Sequence, residues 1–321
     1  MTSFIFRRIL TFIPTLIGIS ILVFFVIRQI PGDAITAKLG AEGSGSLTPE
    51  QEAQYRAYFG LDKPLTQQYL DWIGGVFHGD FGISEVRREP VLVAIFKTFP
   101  LTLELAILAL FMALVIGIPI GVLSATRPGS AIDFVGRAVS LLALSLPNFW
   151  MGTLIILLLS SVFHVLPDQG LYIPFFEDPL RNLGQLLFPA FTLGFAFSGS
   201  LMRTTRAVML ETLNQDYIRT ARSKGLRDRA VFIGHALRNG LLPIITLAGI
   251  EMGYLLGGTV LVEQVFALPG IGRLTYTAIL QRDYALVQGA VLFIAFNFVL
   301  INLLVDFLYS LADPRIAHAG D

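Results

Sequence analysis

Ile9–Ile27 runs for nineteen residues without a charge, bracketed by Arg7, Arg8 and Arg28. An α-helix needs about 20 mostly apolar residues to cross the hydrocarbon core of a bilayer. Five more runs of this kind follow: Leu101–Ser124, Phe134–Phe163, Leu186–Met202, Leu242–Val262 and Ala285–Leu311. A chain with these runs is constrained to an all-α polytopic membrane fold of about six transmembrane helices, because lipid leaves each backbone N–H and C=O to be satisfied within the protein. The first run exceeds a signal-peptide core, and no Ala-x-Ala cleavage site follows it, so it reads as a retained span. Arg137 near the start of the third run moves its entry inward by a few residues, and the fourth run is the shortest and holds Pro189. Charged residues make up only 14% of the chain and hydrophobic ones 54%, where a soluble domain carries roughly 25% charge. So much apolar surface would leave large exposed patches in water. The absence of cysteine excludes disulfides, thiolate chemistry and Cys-ligated metal.

The distribution of Lys and Arg orients the spans. With the N-terminus inside, the inner segments hold thirteen basic residues against six acidic ones, while the outer segments hold ten against fourteen. The basic stretch Arg203–Arg238 dominates this asymmetry. Both termini are therefore expected on the cytoplasmic side. Two segments outside the lipid are long enough to be structured. In the first, Pro31–Phe99, Gly40–Ser46 reads as a flexible link. Thr48-Pro49-Glu50-Gln51 then reads as a helix start: Thr48 caps, Pro49 lacks an N–H that would be unpaired anyway, and Gln51 reaches back. A second short helix is predicted from Pro64 to Phe77. The segment is either a small outer subdomain that meets a partner or helps close a gate, or a connecting loop with some helix in it.

In the second segment, Asp216–Lys224 has helix-forming residues, Gly225 permits a sharp change of direction, and Arg227–Arg238 can continue as another helix. A short helix lying on the inner face of the membrane follows. Read from charge alone, it is equally a basic loop that sets topology and binds anionic headgroups.

The residues here resemble a known family. Tyr217-Ile-Arg-Thr-Ala-Arg-Ser-Lys-Gly225 followed by His235-Ala-Leu-Arg-Asn-Gly-Leu-Leu-Pro243 resembles the cytoplasmic signature loop of membrane subunits of ATP-binding-cassette importers, in detail the peptide/nickel class. Gly79–Ser84, Pro100–Leu105, Gly117–Gly121, Ser145–Asn148, Val265–Gly272, Arg282–Tyr284 and Asp313–Arg315 are similar to segments of the same class, in order along nearly the whole chain. Arg219, Thr220 and Ala221 stand where the general signature has Glu-Ala-Ala, and the distance from Gly225 to Pro243 is longer; both departures resemble the peptide/nickel class.

The resemblance implies a type I importer permease fold. It divides the chain into a cytoplasmic N-terminus and first span (1–30), an extracytoplasmic subdomain (31–95), a permease domain (96–311) with its coupling loop at 203–240, and a cytoplasmic tail (312–321). It implies that the loop couples to an ATPase subunit through Arg219, Thr220, Ala221, Gly225, Leu226, Val231, Phe232 and Pro243. The implied partners are a second, homologous permease subunit, two ATPase subunits or one fused ATPase, an extracytoplasmic substrate-binding protein and the bilayer of a bacterial inner membrane, with no nucleic acid. This chain has no Gly-x-x-x-x-Gly-Lys-Ser/Thr phosphate loop and no Gly-Lys pair, so ATP and Mg are expected on the partners and no cofactor here.

Three polar residues are candidates for the translocation path. Glu251 lies near the middle of span five, where an acidic side chain costs roughly 2.5–3.5 kcal/mol unless it faces protein or water. It either lines a pathway, where it suits a substrate ammonium, or makes an interhelical hydrogen bond. Asn148 sits beside Pro147, which can break the helix ladder and expose carbonyls next to a cavity, and Asn297 lies on span six. Gly117–Gly121 and Gly253–Gly257 have the spacing that lets helices approach closely. Leu268–Gly272 followed by Leu274, Ala278 and Ile279 reads as a turn into a short amphipathic helix, or as a plain loop. The four histidines are far apart and show no His-Glu-x-x-His metal spacing, so no catalytic or metal site is expected. Two other mechanisms compete with ATP-driven import of peptides or a related nickel-chelate or glutathione-type solute. One is a proton-driven secondary transporter with Glu251 as relay; the other is a non-transporting receptor or scaffold.

Overall fold

The computed structural model describes residues 2–29, 35, 47–58, 60–164 and 172–312. The Gly40–Ser46 link and the 313–321 tail with Arg315 lie outside them. Helix α1 (Thr2–Gln29) is the first span. The next two helices belong to the segment after it: α2 (Pro49–Tyr58) and α3 (Leu65–Phe77). The expected cap of α2 is present in both directions. The Gln51 N–H donates to Thr48 Oγ1 at 3.3 Å, and the Thr48 N–H donates to Gln51 Oε1 at 3.0 Å. A two-residue antiparallel ladder, β1 (Ile83–Ser84) with β2 (Glu89–Pro90), leads into the second span, α4 (Val91–Thr126).

Helix α4 has 36 residues, about 54 Å of rise, and continues beyond the hydrocarbon at its ends. Pro100 and Pro119 lie within it. Next come α5 (Ala131–Ser145) and α6 (Asn148–Ser161), bent by 101° at Leu146-Pro147. The expected single run Phe134–Phe163 is thus a broken span. Pro147 has no N–H to continue the helix and disfavours helical geometry in the residue before it; Leu146 is accordingly extended (φ −84°, ψ 122°).

Helix α7 (Pro179–Leu213) reverses an expectation. The fourth run looked short, yet α7 is 35 residues long, includes Pro189, and is the most buried of the four straight apolar helices. Asn182, Gln185, Thr192, Ser198 and Thr205 are all buried in neighbouring protein, and these polar residues dilute the apolar signal. Beyond it lie α8 (Asp216–Ser223), a π-helical turn at Ala230–Leu237, α9 (Leu241–Gly258), α10 (Val260–Val265), α11 (Ile271–Leu280) and α12 (Tyr284–Ala312). The π turn and α9 meet at 65°. Among the described residues, four helices are each long and apolar enough to cross a membrane, and the two bent pairs bring the total to six when each is taken as one span.

The centre of the bundle is the α4–α7 seam. A Cβ on Gly117 would lie 2.7 Å from Leu201 Cβ, and one on Gly121 would lie 2.6 Å from Thr205 Cβ. Gly194 answers from α7, with the Ala109 carbonyl 2.5 Å from where its Cβ would be. Small residues therefore bring the two backbones into contact along several turns. Around this seam Leu101, Leu105, Leu186, Leu193, Leu255 and Phe266 form the largest apolar cluster. The other spaced pair behaves unequally: a Cβ on Gly253 would lie 2.9 Å from the Phe298 ring, while one on Gly257 would make an ordinary 3.7 Å contact to Ile294.

Candidate coupling surface and translocation cavity

The segment between α7 and α9 folds as a lever with a distinct inner and outer side. Ile218 and Ala221 on α8, and Val231 and Ala236 on the π turn, are buried against Met209 of α7 and Ala125 of α4. Val231 and Ala236 are five residues apart; an α-helix would turn them away from each other, whereas i→i+5 winding stacks them. This accounts for a π turn where a plain helix was expected. Gly225 sits at φ +77°, the left-handed region that only glycine enters without a Cβ clash.

The other side is free. Tyr217 is 42% exposed, Leu226 42% and Ile233 51%. Arg219, Thr220, Arg222, Lys224, Arg227, Arg229 and Arg238 are exposed with them, against only Asp216 and Asp228. Arg219 pairs with Asp216 at 3.3 Å in the open, and Phe232 is half-buried, with the Arg222 guanidinium 6.0 Å from its ring centre. Pro243 is exposed in the first turn of α9. Val231 departs from the sequence reading: it is fully buried against its own bundle, and the apolar side chains exposed on this segment are Tyr217, Leu226 and Ile233, with Phe232 half-buried. Ala221 faces inward with Val231.

An open pocket of about 320 Å³ lies beside the break at Pro147. Glu251 of α9, Asn148 at the start of α6, Pro147, and Ser200 and Phe197 of α7 line it. Two of the three pathway candidates thus meet. Asn297 does not join them; its Nδ2 donates to the Phe293 carbonyl of its own helix at 2.8 Å. Glu251 is 9% exposed, and among the described residues no group hydrogen-bonds or ion-pairs with it. Ser200 carries no signal in the sequence, since one serine in an apolar run is ordinary.

Residues 117–318 match the family model described as the binding-protein-dependent transport system inner membrane component, and residues 1–106 match the model of its N-terminal region. The chain belongs to this family. The permease is 42% identical to the dipeptide transport system permease protein DppB of Escherichia coli K12, over 99% of both chains. It is 40% identical to the oligopeptide transport system permease protein AppB of Bacillus subtilis, over 99% of this chain and all of that one. Among solved structures, the inward-facing MetNI methionine ABC transporter matches with a TM-score of 0.53 at 20% identity. It covers 69% of this chain and 97% of that one. An amino acid ABC transporter matches with a TM-score of 0.51 at 17% identity, over 70% and 94%. At these identities the likeness is one of fold, the type I importer fold.

Sequence reasoning missed the strongest polar knot of the permease. The fully buried Glu263 of α10 accepts hydrogen bonds from Thr102 Oγ1 and Thr259 Oγ1, each at 2.8 Å, and from the Arg273 N–H at 2.7 Å. Thr102 Oγ1 in turn accepts from the Ile271 N–H at 2.9 Å. A Cβ on Gly270 would lie 2.2 Å from the Glu263 carboxyl carbon, so glycine is required for the loop to close over it. The knot ties α4 to the loop before α11, and of the two sequence readings of this stretch the turn into a short helix is the one present, with the helix over Ile271–Leu280. A second link joins the segment after α1 to the last span: the Ser84 hydroxyl donates to the buried Asp283 carboxylate. Glu104 accepts from Asn182 Nδ2 at 2.7 Å and so joins α4 to α7.

Proposed function

We propose that the permease is the membrane subunit through which an ATP-driven importer takes up small peptides by alternating access. The observation that carries this reading is the 42% identity to a dipeptide permease over 99% of both chains. A second homologous permease subunit, two ATPase subunits or one fused ATPase, and an external substrate-binding protein complete the assembly. ATP and Mg bind the ATPase partners, and the chain sits in a bacterial inner membrane with both termini inside. The domain limits at 30, 95 and 311 belong to the same reading.

In this assembly the α8–π-turn lever seats in a groove of the ATPase. Moving a transporter from 99:1 inward-facing to the reverse takes about 5.5 kcal/mol of differential interaction. Fully burying an exposed apolar side chain contributes about 1.5–3 kcal/mol; Tyr217, Leu226 and Ile233 are roughly half exposed, so covering them contributes about 2–4 kcal/mol together, and charge contacts of Arg219, Arg222 and Lys224 add toward the rest. Gly225 sets the turn, and Ala221 and Val231 transmit the push to α4 and α7 through the cluster they share with Ala125 and Met209. The path itself runs past the Pro147 break, with Glu251 and Asn148 as its polar lining. Glu251, which has no partner among the described residues, suits the ammonium end of a peptide.

Reconstitution tests this. In proteoliposomes carrying the full complex, labelled dipeptide uptake should require ATP inside and the binding protein outside, and should survive collapse of the proton gradient. Uptake driven by a gradient without ATP would establish the secondary-transporter mechanism instead.

A further inference from the structure

On the flank of the bundle, away from the Pro147 cavity, α1, α3, α4 and α12 enclose a cleft of about 450 Å³. Its walls include Ile17, Ile73, Val76, Phe96, Leu292 and Phe296, and among the described residues Ser20 is the one polar side chain lining it. The Ser20 hydroxyl is already used: it donates to the Ile17 carbonyl at 2.8 Å and lies 2.8 Å from the Tyr69 hydroxyl. Helix α3 roofs one end. It is held on α1 by that contact, by the rings of Tyr69 and Trp72 against Phe24 at 5.3 and 5.9 Å, and by Arg28 Nε donating to Gln68 Oε1 at 3.2 Å.

Water has no reason to fill this space, because a buried water needs two to four polar partners. Left empty, the cleft would forfeit the dispersion contacts of every wall. Its mouth says what enters. Ile17, Phe96 and Phe296 are exposed on the outward faces of three membrane-spanning helices, and Phe77 is exposed at the rim. The cleft is therefore continuous with surface that the bilayer already covers. An apolar cavity of about 150 Å³ takes one benzene, so this volume takes on the order of 18 carbon atoms, a single fatty acyl chain.

We propose that the cleft is a binding site for one acyl chain of a phospholipid from the leaflet nearest α3. The chain completes the packing between α3 and the spans, so that the segment after α1 is fastened to the bundle partly through lipid. This is independent of the substrate and of the coupling lever.

Native mass spectrometry of the full chain tests it. The protein is exchanged from nanodiscs of phosphatidylethanolamine and phosphatidylglycerol into detergent and washed. The wild type should retain one phospholipid, and Ile73→Phe/Val76→Phe, which fills the cleft, should retain about tenfold less with an unchanged circular dichroism spectrum. If that pair fails to fold, Val76→Phe alone serves, with the same expectation. A structure of the full complex in the same nanodiscs should show a continuous rod of density in the cleft. Equal retention by wild type and the folded variant, no retained lipid in either, or side chains of a partner subunit in the cleft would overturn the proposal.

Discussion

Gly121 and Gly257 each close a small-xxx-small pair, yet they should respond to alanine in opposite directions. At Gly121 the added Cβ would lie 2.6 Å from Thr205 Cβ and 2.9 Å from the Met202 carbonyl oxygen. Carbon atoms in contact prefer about 3.5–4.0 Å, so α4 and α7 must part by on the order of 1 Å along the seam that centres the bundle. Overpacking of this kind costs about 1–3 kcal/mol. Alanine recovers about 1 kcal/mol of helix propensity, leaving a net loss of up to about 2 kcal/mol for Gly121→Ala. At Gly257 the nearest atom is Ile294 Cγ2 at 3.7 Å, an ordinary contact. Gly257→Ala should therefore gain a few tenths of a kcal/mol and at most about 1. Reversible unfolding of the full-length chain in mixed micelles, titrated with sodium dodecyl sulfate, reads both differences. If the two variants shift the midpoint equally and in the same direction, the close α4–α7 approach is not what organises the bundle.

Glu263→Gln replaces a carboxylate that accepts three hydrogen bonds with an amide that brings its own donors. It should destabilise the α10–α11 corner by about 2–3 kcal/mol, seen as faster hydrogen exchange at Ile271 and Arg273; unchanged exchange would refute the knot. Val231→Ala removes two buried carbons and should cost about 2 kcal/mol, with protection lost in both α8 and the π turn. Loss confined to the π turn would mean that the lever is not one unit. Hydrogen bonds from Lys97 and Arg87, at 2.6 and 2.8 Å, hold the Glu89 carboxyl below the usual glutamate range. Because its folded pKa is depressed, the pairing that stabilises β2 is complete above the ordinary glutamate pKa of about 4.3 and is lost only as pH falls through the lower folded value. A carboxyl ¹³C titration of Glu89 with an ordinary midpoint would contradict this.

What was legible in the sequence follows the solvent. Helices that face lipid on one side, α1, α4 and α12, announce themselves by long, strongly apolar runs. Helix α7 is surrounded by protein, not lipid, along much of its length, so Asn182, Gln185 and Thr205 lie buried in it, and the same residues weakened its signal. Local chemistry was readable where it is self-contained: the Thr48–Gln51 box and the Gly225 turn each need only their neighbours. Tertiary chemistry was not. Glu263 looks like a surface acid after an apolar run, and nothing nearby in sequence reveals that Thr102, 161 positions away, donates to it. The sidedness of the lever was hidden for a related reason. Val231, Phe232 and Ile233 are equally apolar neighbours, and only π winding decides which faces the bundle and which faces outward.

In the proposed assembly the exposed side of the α8–π-turn lever grips a separate ATPase. The absence of native cysteine makes a direct test simple, because Leu226→Cys is the only thiol in the chain. In the assembled complex, a short bifunctional reagent on that thiol should link the permease to the ATPase subunit, and the yield should change when ATP is bound. Labelling of the same thiol by a membrane-impermeant reagent from outside the cell, or no link to an ATPase in either nucleotide state, would contradict it.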